Sequence, residues 1–192
     1  CSGKYTNAKE CNIYFKSNTK KVLISATSHN ADQTLIYGFN SKKINSESKI
    51  FSYGSCTVNA YVPLANYINN KYEVLNCDVN IIHNIQAYKL NNFDDIKRHP
   101  WTLEKSGPKL LDFLNEDNFV VNYTLIPFTG ISSMDIRFAI KKKINLENFF
   151  SDLDNEIKNN SLKNLYGMNN SENKPSDFLM TLKNLELLQK NI

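Results

Sequence analysis

Gly54-Ser55-Cys56-Thr57-Val58-Asn59-Ala60-Tyr61-Val62-Pro63-Leu64-Ala65 is the stretch on which the reading of this chain turns. Val58, Tyr61, Val62 and Ala65 recur at helical spacing, and the pattern runs on through Tyr67 and Ile68. That periodicity predicts a helix over Thr57 to Asn70. Ser55 stands where a cap is needed to accept from the first unpaired N–H groups. Pro63 leaves the Asn59 carbonyl without its usual donor and predicts a bend. Cys56 then lies at a helix start, where the dipole and unpaired N–H groups favour a thiolate. The longest strand candidate follows, Glu73 to Ile85, with Val79, Ile81, His83 and Ile85 on one face. An imidazole brought beside that thiol lowers its pKa further, and the thiolate is the form that attacks electrophiles.

Outward from this segment the pattern mixes strands and helices. Lys21 to Ala26 and Gln33 to Phe39 read as strands split by a polar turn, and Lys49 to Tyr53 as a third. Ala8 to Lys16 predicts a short helix. Gln86 to Lys105 is polar and irregular, a length usual only for functional loops. Gly107 to Leu114 predicts a short helix capped by Ser106. Phe119 to Phe128 reads as a strand ended by Pro127 and Gly130. In Ser133 to Lys141 the residues Met134, Ile136, Phe138 and Ile140 alternate with Asp135, Arg137 and Lys141. Leu146 to Lys158 is amphipathic, with Asn145 as its cap. Asn159 to Asp177 reads as a loop, and Phe178 to Leu188 as a closing strand or helix. Without regular βαβ alternation, the expectation is an α+β fold: a mixed, largely antiparallel sheet with helices on one face.

The chain has 192 residues, enough for one domain over 1–192. It is 41% hydrophobic and 22% charged, as expected of a soluble globular protein. Net charge is +4, with the basic residues spread and almost all Lys, which argues against nucleic acid as a partner. No apolar run reaches the ~20 residues that cross a bilayer, so no membrane association is expected. Cysteines at 1, 11, 56 and 77 show no CxxC spacing, so neither a metal site nor a disulfide framework is expected. Reduced thiols suggest a cytoplasmic protein. The first residue is Cys1 rather than Met, so the natural N-terminus is expected upstream.

Ser55-Cys56-Thr57-Val58-Asn59-Ala60, continued by Tyr61-Val62 and Pro63-Leu64-Ala65, resembles the active-site segment of glyceraldehyde-3-phosphate dehydrogenases, S-C-T-T-N-C, an apolar pair and P-L-A. The separation of Cys56 from His83 also matches that family's nucleophile and histidine. Cys1 to Thr6 looks like the family's seam between nucleotide-binding and catalytic domains, Lys20 to Ala26 like its K-K-V-I-I-S-A strand, and Gly38-Phe39-Asn40 like its G-V-N. Pro127 to Asp135 is similar to its P-x-x-x-V-S-x-x-D stretch. The resemblance spans roughly residues 1 to 160 and implies the fold of the family's catalytic domain. It also shows departures. Ala60 replaces the second cysteine, Gln86 and Tyr88 replace two phosphate-binding threonines, and Leu125 replaces an arginine. The loop from His83 to Ser106 is shorter. The six glycines form no GxGxxG, and the family's W-Y-D-N-E helix has no counterpart. The nucleotide-binding domain is therefore expected to lie outside this chain.

The resemblance implies a nucleophile, Cys56, that adds to an aldehyde, and a general base, His83. It implies NAD or NADP as cofactor, bound mainly by the absent domain, with Ser2 and Gly3 the contributions from this chain. Ser55, Thr57, Ser106 and Gly107 match its inorganic-phosphate site, and Gln86, Tyr88 and Arg137 are candidates for the substrate's own anion. The family forms homo-oligomers, so a dimer or tetramer is expected. Two other readings stay open: a non-catalytic assembly or binding module, and a thioester-forming hydrolase that needs no cofactor.

Overall fold

The computed structural model describes residues 6–84, 101–127 and 132–168. The chain begins with a 3-10 helix, Ala8–Tyr14, capped by Asn7, whose side chain accepts from the Lys9 N–H. Three short strands follow, β1 (Val22–Ile24), β2 (Gln33–Thr34) and β3 (Ile50–Ser52). They form a sheet of order β1-β3-β2 with both pairings parallel. Helix α1 (Cys56–Tyr72) leads into β4 (Val74–Asn84). Then come α2 (Thr102–Leu110), β5 (Phe119–Ile126), β6 (Ser133–Ile140) and α3 (Leu146–Asn159). The second sheet has order β5-β4-β6, parallel between β4 and β5 and antiparallel between β4 and β6.

The α+β class is as expected, but the pairing is not largely antiparallel. Among the described residues, three strand pairings are parallel and one is antiparallel. The parallel pairs are joined through intervening turns and helices, as parallel crossovers require. Helices α1 and α2 cover one face of the second sheet. Val58, Tyr61, Val62 and Ala65 of α1 meet Cys77, Val79, Ile81, Phe119 and Val121 there, with Leu103 of α2. Tyr61 lies between Phe119 and Phe138, at ring-centroid distances of 5.4 and 6.2 Å. A register shift between Val74 and Asn76 leaves both Leu75 and Asn76 facing out before the alternation resumes.

Two elements depart from the sequence reading. The strand expected over Gln33 to Phe39 stops at Thr34 because Asn40 takes over the pairing. Its Oδ1 accepts from the Ile36 N–H at 2.7 Å and its Nδ2 donates to the Thr34 carbonyl at 2.9 Å. Gly38 completes that turn at φ 78°. The second helix starts at Thr102 rather than Gly107, and its cap position is Trp101, with no side-chain cap bond. Ser106 is therefore an interior residue, not a cap. Leu103, Ser106 and Gly107 form the buried stripe of α2. A Cβ on Gly107 would come within 2.8 Å of the Phe119 ring, so the bare Cα is what lets α2 lie on β5.

The proline in α1 has an unexpected neighbour. Tyr166, from the segment after α3, places its hydroxyl in the helix at the next rung. It donates to the Ala60 carbonyl at 2.7 Å and accepts from the Leu64 N–H at 3.2 Å. These are the two groups that would pair directly in an uninterrupted helix. The closing element expected at Phe178 to Leu188 lies outside the described residues.

Candidate active site

Cys56 is the first residue of α1, and the turn that delivers it is tightly determined. Ser52 at the end of β3 is fully buried. Its hydroxyl donates to the Ala26 carbonyl at 2.9 Å and accepts from the N–H groups of Ser28 and Gly54 at 3.0 and 3.2 Å. Gly54 then adopts φ 75°, where a Cβ would also come within 3.0 Å of Ile36 Cδ1. Ser55 caps the helix, accepting from the Val58 N–H at 3.3 Å. Asn59 ties the turn to the helix by donating from Nδ2 to the carbonyls of Tyr53 and Ser55, each at 2.9 Å. A β-strand terminus, a glycine turn and a helix cap thus fix the position of one sulfur.

His83 reaches that sulfur from the C-terminal end of β4. Sγ of Cys56 and Nε2 of His83 are 3.4 Å apart. Nδ1 of His83 lies 2.8 Å from the Asn84 carbonyl. A carbonyl can only accept, so Nδ1 carries the proton in the neutral ring and Nε2 presents its lone pair to the thiol. Partial burial pushes the Cys56 thiol up, but the hydrogen bond and charge of His83, with the backbone N–H groups of Thr57 and Cys56, outweigh it, and the net shift is downward. The contact with Cys56 raises the His83 pKa, against a smaller desolvation effect. Cys56 is nonetheless exposed to solvent, whereas Cys11 and Cys77 are buried. Burial pushes the Cys77 thiol up to about 11. Only one of the three described thiols therefore combines access with a depressed pKa.

Ser55 and Thr57 stand beside the sulfur, but with partners other than those expected. Thr102, the first residue of α2, donates to Ser55 Oγ at 3.0 Å. Ser55 Oγ and Thr57 Oγ1 are 3.1 Å apart, and Tyr123 of β5 donates to Thr57 Oγ1 at 3.0 Å. The Tyr123 ring stacks on Trp101 at 4.5 Å and 19°, and lies 6.0 Å from the His83 ring. Ser106 and Gly107 are not part of this cluster. They lie further along α2, in its buried stripe. Arg137 pairs in register with Asp78. It therefore lies on the sheet face opposite that of Val79, Ile81 and His83, and it bonds Asp135 at 2.7 Å. Gln86, Tyr88, Ser2 and Gly3 lie outside the described residues.

Sequence reasoning missed Thr102, Tyr123 and Trp101. Tyr123 was legible only in part: it shares the inward face of β5 with Phe119 and Val121, but no pattern tells that its hydroxyl meets Thr57. A groove of about 930 Å3 runs along α2 past His29, Glu104, Lys109 and Phe119. It touches neither Cys56 nor His83, and the site rests on the thiol–imidazole geometry rather than on that cavity. Among the described residues no group of His, Cys, Asp and Glu is arranged to hold a metal ion. None of the described helices is long and apolar enough to cross a membrane.

The chain is similar to glyceraldehyde-3-phosphate dehydrogenases. It is 33% identical over 88 residues to that of Lactobacillus delbrueckii subsp. bulgaricus, covering 46% of this chain and 25% of the relative. It is 32% identical over 84 residues to that of Zymomonas mobilis, covering 43% and 25%. The cytosolic enzyme of Antirrhinum majus is 25% identical over 193 residues, which cover 93% of this chain and 56% of that protein. The chain thus spans between a quarter and little more than half of the length of these relatives. No family model matches it.

Proposed function

We propose that this chain carries the thiol chemistry of an aldehyde-oxidising enzyme of the glyceraldehyde-3-phosphate dehydrogenase type. The observation that carries the reading is the 3.4 Å approach of Cys56 Sγ to His83 Nε2 at the start of α1. Sγ adds to the carbonyl carbon of an aldehyde, forming the C–S bond of a hemithioacetal. The developing oxygen charge is met by backbone N–H groups at the α1 N-terminus, which is where such donors are unpaired. His83 Nε2 holds the proton that leaves the hydroxyl, and the Asn84 carbonyl keeps the ring in the required tautomer. The oxidation that would convert the hemithioacetal to a thioester is inferred from the relatives, and implies NAD or NADP. The described residues build no glycine-rich dinucleotide cradle: their four glycines are Gly38, Gly54, Gly107 and Gly167. The work assigned to this chain is therefore nucleophilic attack and proton handling. A cytoplasmic homo-oligomer, dimer or tetramer, that acts on a small-molecule aldehyde completes the proposal.

The decisive measurement is intact-mass analysis after brief treatment with iodoacetamide at neutral pH, with peptide mapping. One adduct on Cys56, lost in C56S and slowed in H83N, is the expected outcome. Labelling that falls first on another cysteine, or that ignores H83N, refutes the assignment.

A further inference from the structure

We propose that Tyr123 is a specificity-determining residue that closes the anion position beside Cys56, so that an acyl group carried on that sulfur passes to water rather than to inorganic phosphate. This rests on the reading of Cys56 as the nucleophile. An oxyanion site needs donors free to point at the ligand. Here four hydroxyls, those of Thr102, Ser55, Thr57 and Tyr123, are joined by three contacts of 3.0 to 3.1 Å. Three of their four protons are used within the chain, and one is left for a ligand. Ser55 Oγ accepts from both Thr102 and the Val58 N–H, so its lone pairs are taken and its own proton points at Thr57 Oγ1, which leaves the Thr57 proton as the free one.

Access points the same way. Thr57 is 2% exposed, and the Tyr123 hydroxyl is bonded to its Oγ1 at 3.0 Å. Swinging that hydroxyl aside means breaking the stack of Tyr123 on Trp101, whose rings are 4.5 Å apart and nearly parallel. A phosphate dianion would have to open the network, displace an aromatic ring and reach a covered hydroxyl. Water needs only to approach the exposed Cys56 beside His83. There a water oxygen bonds to the thioester carbon and the C–S bond breaks. Nε2 takes the water proton and returns it to the departing sulfur, and the products are the free thiol and a carboxylic acid. No oxidant or reductant is consumed in this step.

The test acylates the full 192-residue chain with p-nitrophenyl acetate and follows loss of the Cys56 acetyl group by mass, with and without inorganic phosphate at constant ionic strength. Deacylation is expected to change by less than about twofold with phosphate and to yield acetate. Y123A is expected to gain a saturable, at least about fivefold acceleration by phosphate, with acetyl phosphate as product. Saturable acceleration of the wild-type protein, or acetyl phosphate formed by it, overturns the proposal. A folded Y123A that stays indifferent to phosphate overturns the role given to Tyr123. A titration read by phosphorus NMR line width needs no acylation. Wild-type protein that broadens phosphate saturably also overturns the proposal, and wild-type protein that does not supports it even if Y123A does not fold. Failure of Cys56 to acylate would sink the proposed function and with it the route to water, while the titration still reads separately whether the anion position is closed.

Discussion

Two cysteines that both carry a free thiol differ here because of what each sulfur faces. Cys56 has an imidazole 3.4 Å away and backbone N–H groups at a helix start, so its pKa falls. Cys77, at the centre of β4 and 2% exposed, is pushed up by burial. The rate of Cys56 alkylation against pH is therefore expected to inflect below the ordinary thiol range of about 8.5. In H83N both contributions of His83 vanish while burial still acts, so the inflection moves up. Each unit of that rise lowers the thiolate fraction at neutral pH about tenfold. Stopped-flow alkylation across pH 5 to 10 checks both the position and the direction. Cys77 is expected to stay unlabelled in the native protein and to react after urea denaturation. Helix period and strand alternation place Cys56 at a helix start and His83 near a strand end, and that the two side chains meet is implied by the spacing that resembles the glyceraldehyde-3-phosphate dehydrogenases. The sequence did not carry the Ser55–Thr57–Tyr123 contacts, because those depend on which residue of β5 lies across from Ile81, a register set by the whole sheet.

Elements were legible where periodicity and cap agreed, as for α1 with Ser55, β6 with its strict alternation and α3 with Asn145. They were misread where a side chain replaced a backbone partner, as Asn40 does after β2, or where a glycine served packing, as Gly107 does in α2. The α1 segment tests two such local devices. Gly54→Ala forces a Cβ into a left-handed turn at φ 75° and against Ile36. It is expected to destabilise by about 1–2 kcal/mol or more, read by urea denaturation. It should also slow Cys56 labelling, because the cap and the sulfur move together. Tyr166→Phe removes the hydroxyl between Ala60 and Leu64. If the helix does not close over the gap, two backbone groups lose their partner, at a cost of about 1–3 kcal/mol. A loss below about 0.5 kcal/mol would show that the rung re-forms directly and that Tyr166 is dispensable.

Across the whole molecule, holding power is unequal, and the site lies in the part that is best held. Helix α1 joins both sheets: its cap turn hangs from β3 through Ser52, and its apolar face fills the core against β4 and β5. Helix α3 buries no residue. It is attached by Phe149 against Tyr72, with ring centroids 5.7 Å apart, and by an exposed Lys71–Asp152 pair at 2.6 Å. Such an exposed pair contributes at most about 1 kcal/mol in water, and one aromatic contact adds about 0.5–1.5 kcal/mol beyond its buried area. Opening α3 should therefore require far less free energy than unfolding the sheet it rests on. Native-state hydrogen exchange is expected to show the α3 amides exchanging first, while those of α1 and β4 exchange only with global unfolding. Phe149→Ala should speed exchange in α3 and leave the Cys56 alkylation rate within about twofold, since no contact of Phe149 reaches the thiol. If α3 and α1 instead exchange as one unit, or if F149A depresses alkylation in step with α3 opening, then α3 supports the site and the unequal division of stability is wrong.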